Sequence, residues 1–254
     1  TPHHRLRGYQ FNYRDWTNSY DGWTPQMLEQ YVRDMVVFGA NAVEVMGPGP
    51  DSDKESPHFP LSKIDMLVEA SRIISEYGLQ VWICYPVWGS IPRGDNPTVR
   101  NYDNPADVET TLKEWEGVVR RMPRIDAVLT QGGDPGHTEP RLLMPLLEKL
   151  IAKVRRFHPT AEMWMTPQQF NREWMNQFFS HLKSEPNWLT GIGFHSSVRM
   201  PLPEFRAKLP ARYAIRLLAD ITHSVHGEYP VPDWDLAFMI THGREPANPR
   251  PVDM

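Results

Sequence analysis

The chain has 254 residues and a net charge of −4, from 27 Lys and Arg against 31 Asp and Glu. The cations are scattered through the sequence, not gathered in one stripe, which argues against nucleic acid or another polymeric anion as a partner. No run approaches the roughly 18 apolar residues of a membrane span, and Thr1-Pro2-His3-His4-Arg5 lacks the apolar core of a signal peptide, so no membrane partner is expected.

Short apolar strands alternate with amphipathic helices at a spacing of ~35 residues, the pattern of repeated βα units around a parallel sheet. The first strand is expected at 7–12. Thr24-Pro25 then opens a helix with Leu28, Tyr31, Val32 and Met35 on its apolar face, and Gly39 ends it. A second strand at 41–46 runs into Gly47-Pro48-Gly49-Pro50. Ser62 caps the next helix, which buries Ile64, Leu67, Val68 and Ile74 and stops at Gly78.

Strand three is expected at 80–85. Asn104-Pro105 starts a helix with Val108, Leu112, Trp115 and Val119 on one side, and strand four follows at 127–130. Its helix carries Leu143, Leu146, Leu147, Leu150, Ile151 and Val154 and stops before Pro159. Strand five is 162–166, with Trp174, Phe178 and Leu182 on its helix. Strand six is 191–195 and strand seven 213–219. Residues 233–243 read as a short helix capped by Asp233 and ended by Gly243, and the proline-rich tail from Arg244 is irregular.

The whole, 1–254, is expected to be a single domain, a TIM-type (β/α)8 barrel that lacks its last strand within this chain. Either the apolar run near Trp234 closes the barrel after all, or the closing strand lies beyond Met254.

Strand alternation sorts side chains between the helices and the barrel axis. Val43 and Val45 suit the helix side, which turns Glu44 inward; Ile215 and Leu217 do the same for Arg216 and Asp220. A charged group inside a barrel needs a partner or a substrate, since an unpaired buried charge costs several kcal/mol. A Glu44–Arg216 ion pair is one expectation, substrate binding another, and one pair can serve both. Trp164, Thr166 and Gln168 share a face of strand five, and His195 ends strand six. Cys84, the single cysteine, lies in an apolar strand, where it is expected to be a small buried side chain; an intrachain disulfide is excluded.

Two strand-end loops carry chemistry. Gln131-Gly132-Gly133-Asp134-Pro135-Gly136-His137 follows strand four, and Asp220-Ile221-Thr222-His223 follows strand seven. Loops at strand C-terminal ends are where barrel enzymes keep their active sites. In the first loop, two glycines allow a ligand close to the backbone or a sharp turn, and Asp134 is also placed to form an Asx-type turn before the next helix.

Two carboxylates, with aromatic residues in or beside the loops, form the set that glycoside hydrolysis requires: an acid for the leaving oxygen, a base or nucleophile opposite, and faces on which sugars stack. Asp134 and Asp220 are the candidate catalytic residues. Asn12, Glu44, Tyr85, Trp88, His137, Trp164, Gln168, His195, Arg199, Arg216, His223 and Tyr229 are the candidate carbohydrate-binding residues, with no cofactor and no metal.

Two rival readings use the same loops. Asp134-x-x-His137 and Asp220-x-x-His223 offer a divalent-metal set for a sugar isomerase or epimerase. A barrel that kept the aromatic cleft without the acid would bind carbohydrate and not turn it over.

The opening Arg7-Gly8-Tyr9 and the loop Gly133-Asp134-Pro135-Gly136 resemble the catalytic barrel of bacterial α-glucuronidases and, more distantly, β-hexosaminidases. The resemblance implies a glycosidase of carbohydrate and polysaccharide breakdown, bacterial, either exported or cytoplasmic, with further domains in the same protein. It also implies a general-acid Glu in the loop after strand four. Gly132 and Gly133 stand near that position here, so the role passes to Asp134. A uronic-acid substrate would want a bidentate arginine, for which Arg199 and Arg216 are the candidates.

Overall fold

A computed structural model describes residues 4–11, 24–49, 59–60, 64–84, 100–133, 138–195, 198 and 200–218. In chain order they form β1 (Gly8–Phe11), α1 (Pro25–Val37), β2 (Ala42–Met46), α2 (Ile64–Glu76), β3 (Gln80–Cys84), α3 (Pro105–Val119) and β4 (Ala127–Gln131). The order continues with α4 (Pro140–Arg155), β5 (Glu162–Thr166), α5 (Arg172–Leu182), β6 (Gly191–His195), α6 (Leu202–Lys208) and β7 (Ala214–Leu218). Pro48–Gly49 and Phe59–Pro60 pair as a small parallel ladder outside this series.

The seven strands lie in the sheet in chain order, and every neighbouring pair is parallel. The sheet curls until Arg216 of β7 forms an ion pair with Glu44 of β2. The architecture is a TIM-type (β/α) barrel with seven strands among the described residues, and no described strand joins β7 back to β1. The two edges show the consequence: Gly8 to Gln10 are exposed and β7 is at best half-buried, whereas β2 is buried throughout. The run at 233–243 lies outside the described residues.

Local signals explain the helices. Thr24 Oγ1 accepts from the Met27 amide at 3.3 Å, Asn104 Oδ1 from Ala106 at 3.0 Å and Asn171 Oδ1 from Trp174 at 2.9 Å, each satisfying an orphan donor of a first turn. Gly39 and Gly78, with φ of +84° and +74°, close α1 and α2 in a left-handed conformation that a side chain would resist. α4 carries Pro145 inside it as well as Pro140 at its start. α6, too short for a clear apolar period, is an element the sequence reading did not separate.

The outer core is made by strand residues that face the helices: Val43, Val45, Val81, Ile83, Val128, Met163, Met165 and Ile192 are fully buried. They pack with Leu67, Ile74, Val119, Leu147, Ile151, Phe178 and Leu182 in one continuous cluster. Each such side chain contributes about 1.5–3 kcal/mol relative to exposure.

Inside the barrel the packing differs. Trp82 and Trp164 meet at 5.6 Å between ring centres, tilted by 43°. Each indole N–H turns back two residues, Trp82 donating to Gln80 Oε1 at 2.9 Å and Trp164 to Glu162 Oε2 at 2.7 Å. These bonds point toward the strand N-terminal ends, so the two indoles plug the lower barrel. Gly191 makes room, since a Cβ there would stand 2.3 Å from the Trp164 ring.

Candidate active site

Above the two indoles the inner face becomes polar. Gln131 of β4 stands opposite Thr166 of β5, and Gly193 of β6 opposite Arg216 of β7. Trp164 pairs with Gly191 and Met165 with Ile192, which puts Thr166 beside Gly193. The four therefore form one row across four neighbouring strands, at the last residue of β4 and of β5 and at the middle residue of β6 and of β7, with a side chain missing at Gly193.

From this row a chain of contacts runs around the barrel. Arg216 Nη1 donates to Glu44 Oε2, and its guanidinium lies 4.4 Å from the ring centre of Trp82. Gln10 Nε2 donates to Glu44 Oε1 at 2.6 Å and reaches Cys84 Sγ at 3.4 Å. Gln131 Nε2 approaches the same sulfur at 3.9 Å. Glu44 is 2% exposed and the Arg216 side chain 13%, so the carboxylate is desolvated while the cation keeps a little contact with solvent.

The expected Glu44–Arg216 pair is thus present, and both inward assignments hold. Cys84 is a buried thiol in no disulfide, as expected, and faces the polar layer, not the helices. Trp164, taken from sequence as a stacking candidate, is 8% exposed and held between Trp82 and Gly191 in the lower barrel. Gln168 is buried and His195 half-buried one step further toward the strand ends: Gly133 N donates to Gln168 O at 2.9 Å, and His195 pairs with Leu218.

Gly132 and Gly133 serve neighbours within the fold. A Cβ on Gly132 would lie 2.3 Å from the Phe170 ring, and one on Gly133 would lie 2.5 Å from Gln168 O. The first turn after β4 is thereby drawn against the loop after β5, where Gln169 adopts φ of +56°.

Asn12, Tyr85, Trp88, Asp134, His137, Arg199, Asp220, His223 and Tyr229 lie outside the described residues. Among the described residues no group of three or more His, Cys, Asp or Glu is placed to hold a metal ion.

The sequence reading missed Gln10 and Gln131 as members of the inner polar layer and named Thr166 only as sharing a face with Trp164 and Gln168. Gln131 was lost because strand four was ended at Thr130; continuing the alternation through Leu129 turns it inward. Gln10, between Tyr9 and Phe11, carried the same period-two signal.

No protein-family model matches the chain, and a comparison with curated proteins finds no relative. Solved structures share the fold. A point variant of GH5_18 from Streptomyces cattleya, in complex with Manb1-4GlcNAc, superposes with a TM-score of 0.54 at 11% identity, over 75% of this chain and 51% of that one. CpGH84B gives 0.56 at 11% identity, over 84% and 38%. The cyclic α-maltosyl-(1→6)-maltose hydrolase of Arthrobacter globiformis gives 0.50 at 12%, over 82% and 63%. The chain spans about half the length of the first of these, or 51%. At such identities the likeness is one of fold.

Proposed function

We propose that this barrel is a glycoside hydrolase working by carboxylate acid/base catalysis, with Asp134 after β4 as general acid and Asp220 after β7 as base or nucleophile. The observation that supports it most is the chemistry of the inner face. A barrel that only has to be stable fills its interior with branched aliphatic side chains. This one commits Glu44, Gln131, Thr166 and Arg216 to its inner face, with Gln10 joining them at the exposed edge strand. Burying polar and charged groups there costs free energy that packing alone would not require. The loops that carry Asp134 and Asp220 leave the sheet from β4 and β7, which bound this polar row. Solved barrels of the same fold include glycoside hydrolases, an analogy that raises the expectation without supplying residues.

The finer reading is an α-glucuronidase-like enzyme, supported by Arg7-Gly8-Tyr9 and Gly133-Asp134-Pro135-Gly136. One of its two candidate carboxylate-binding arginines, Arg216, already holds Glu44; the other, Arg199, lies outside the described residues.

The test is a panel of aryl glycosides and glycosyl uronates assayed with and without exhaustive chelation. Hydrolysis that survives chelation supports the proposal. Activity silenced by chelation and restored by a divalent cation replaces it with the metal-dependent isomerase or epimerase reading, and carbohydrate binding with no turnover replaces it with the non-catalytic one.

A further inference from the structure

A cavity of about 190 Å³ opens in the outer helical layer, between α4 and α5. Met144, Pro145 and Glu148 line it from α4, His181 from the last turn of α5, and Pro186 and Trp188 from the stretch that leads into β6. That stretch enters the sheet where the strands begin, so the cavity lies away from the strand-end loops in which barrel enzymes keep their chemistry.

The wall of the cavity is held by contacts outside it. Met144, Glu148 and Arg155, four and then seven residues apart, fall on one flank of α4. Arg155 Nη2 donates to Trp188 O at 3.2 Å and so fixes the Trp188 stretch against that flank. Arg212 Nη2 holds the same stretch, donating to Pro186 O at 2.9 Å and to Leu189 O at 2.7 Å. Two local features are unfavourable in themselves. Pro145 stands inside α4, where it removes a helical N–H, and Glu185 leaves α5 with φ of +47°, a left-handed conformation uncommon for a residue with a side chain. A recess framed in this way is formed before any ligand arrives, which lowers the ordering cost of binding. Neither arginine turns to Glu148, which is exposed and has no hydrogen-bond or ion-pair partner among the described residues.

We propose that this cavity docks the side chain of an arginine or lysine from a partner protein, with Trp188 against the cation and Glu148 as its counter-ion. Size favours a single side chain, because sites for whole small molecules usually measure about 300–1,000 Å³. Charge selects the head group: an unpaired carboxylate repels anions and attracts a guanidinium or ammonium. Met144, Pro145 and Pro186 give the methylene stem an apolar lining, and indole is the best aromatic face for a cation. A metal ion is poorly served, since no group of three His, Cys, Asp or Glu stands together among the described residues. The inference does not depend on the hydrolase reading, and none of its residues belongs to the inner polar row.

Nuclear magnetic resonance of the full chain labelled with ¹⁵N-tryptophan tests it, the Trp188 indole signal being assigned by its loss in Trp188→Phe. The probes are blocked tripeptides, acetyl-Gly-X-Gly-amide with X arginine, lysine or norleucine, and n-butylguanidinium as a cation outside a peptide. The arginine or lysine peptide should shift the Trp188 signal saturably, with a Kd of about 1 mM. The norleucine peptide should bind about fivefold more weakly, and Glu148→Gln should weaken the better cationic peptide by about three- to fivefold while leaving norleucine unchanged, the scale of a partly exposed charge pair. Glu148 is a surface residue, so the variant keeps the fold.

No saturable shift from either cationic peptide up to about 20 mM overturns the site. Norleucine binding as tightly as the cations, or cation affinity unchanged in Glu148→Gln, overturns the charge selection and leaves an apolar recess. Binding of n-butylguanidinium about tenfold tighter than either peptide overturns the protein source in favour of a free small cation. Self-association of the unliganded chain that the arginine peptide or Glu148→Gln abolishes overturns a separate partner and makes the occupant a second copy of this chain.

Discussion

The guanidinium of Arg216 lies 4.4 Å from the ring centre of Trp82 while its Nη1 donates to Glu44, so one cation inside the barrel is held by a carboxylate and an aromatic face at once. The three residues belong to β7, β3 and β2. The contact therefore ties strands far apart in the sheet order across the interior.

Glu44→Ala is expected to destabilise the fold by about 3–5 kcal/mol, because it leaves the Arg216 charge largely buried without its counter-ion. The double variant Glu44→Leu with Arg216→Leu should lose much less than the two single losses summed. Urea denaturation checks both. Additive losses would mean that the two side chains contribute independently.

Gly191→Ala should cost about 1–3 kcal/mol, as in other overpacked interiors. The new methyl would fall 2.3 Å from Trp164 Cζ3, and the indole cannot yield freely while it bonds Glu162 and abuts Trp82. Near-ultraviolet circular dichroism of the tryptophans should change with it, and Trp164→Phe in the same chain should recover part of the loss.

Asp134→Asn is expected to abolish glycoside turnover with little change in melting temperature, since the amide keeps the size and polarity of the side chain and removes only the proton exchange that general acid catalysis requires. Full activity in the variant would reduce Asp134 to a turn residue.

For Asp220→Asn the same loss is expected on any aryl glycoside that the parent cleaves in the presence of chelator. A variant that keeps chelator-resistant hydrolysis would move the base or nucleophile to another carboxylate.

Stability in acid should depend on Glu116, where α3 meets α4. It accepts from Lys153 Nζ at 2.9 Å and from Arg156 Nη1 at 3.0 Å, and the Lys153 hydrogen bond foremost holds its carboxyl below the usual range. A lowered folded pKa means that its contribution is fully present above the ordinary carboxylate value of 4.5 and is lost as pH falls through the folded value. Unfolding free energies of the parent and Glu116→Gln should therefore separate above that value and converge in strong acid. Curves that stay parallel through the acid range would show that the ion pairs contribute nothing.

Periodicity in the sequence sufficed for the seven strands and for five of the helices between them, because these are local properties: one residue in two faces the axis along a strand, and Thr24 and Asn104 announce helix starts wherever the chain lies. Glu44 and Arg216 were legible as inward charges on that basis alone. That they meet each other, with Gln10 on one side and Trp82 on the other, depends on the register between strands and on the curl of the sheet, which no single strand encodes. The same holds for the row Gln131, Thr166, Gly193 and Arg216, whose members come from four separate units. Trp164 shows the limit most clearly. Its inward direction followed from alternation, but its level along the axis came from its register with Leu129 and Gly191 on the neighbouring strands, and the glycine makes room for the indole. Level within a barrel is set by strand register, a tertiary quantity, and level separates a packed floor from a binding surface.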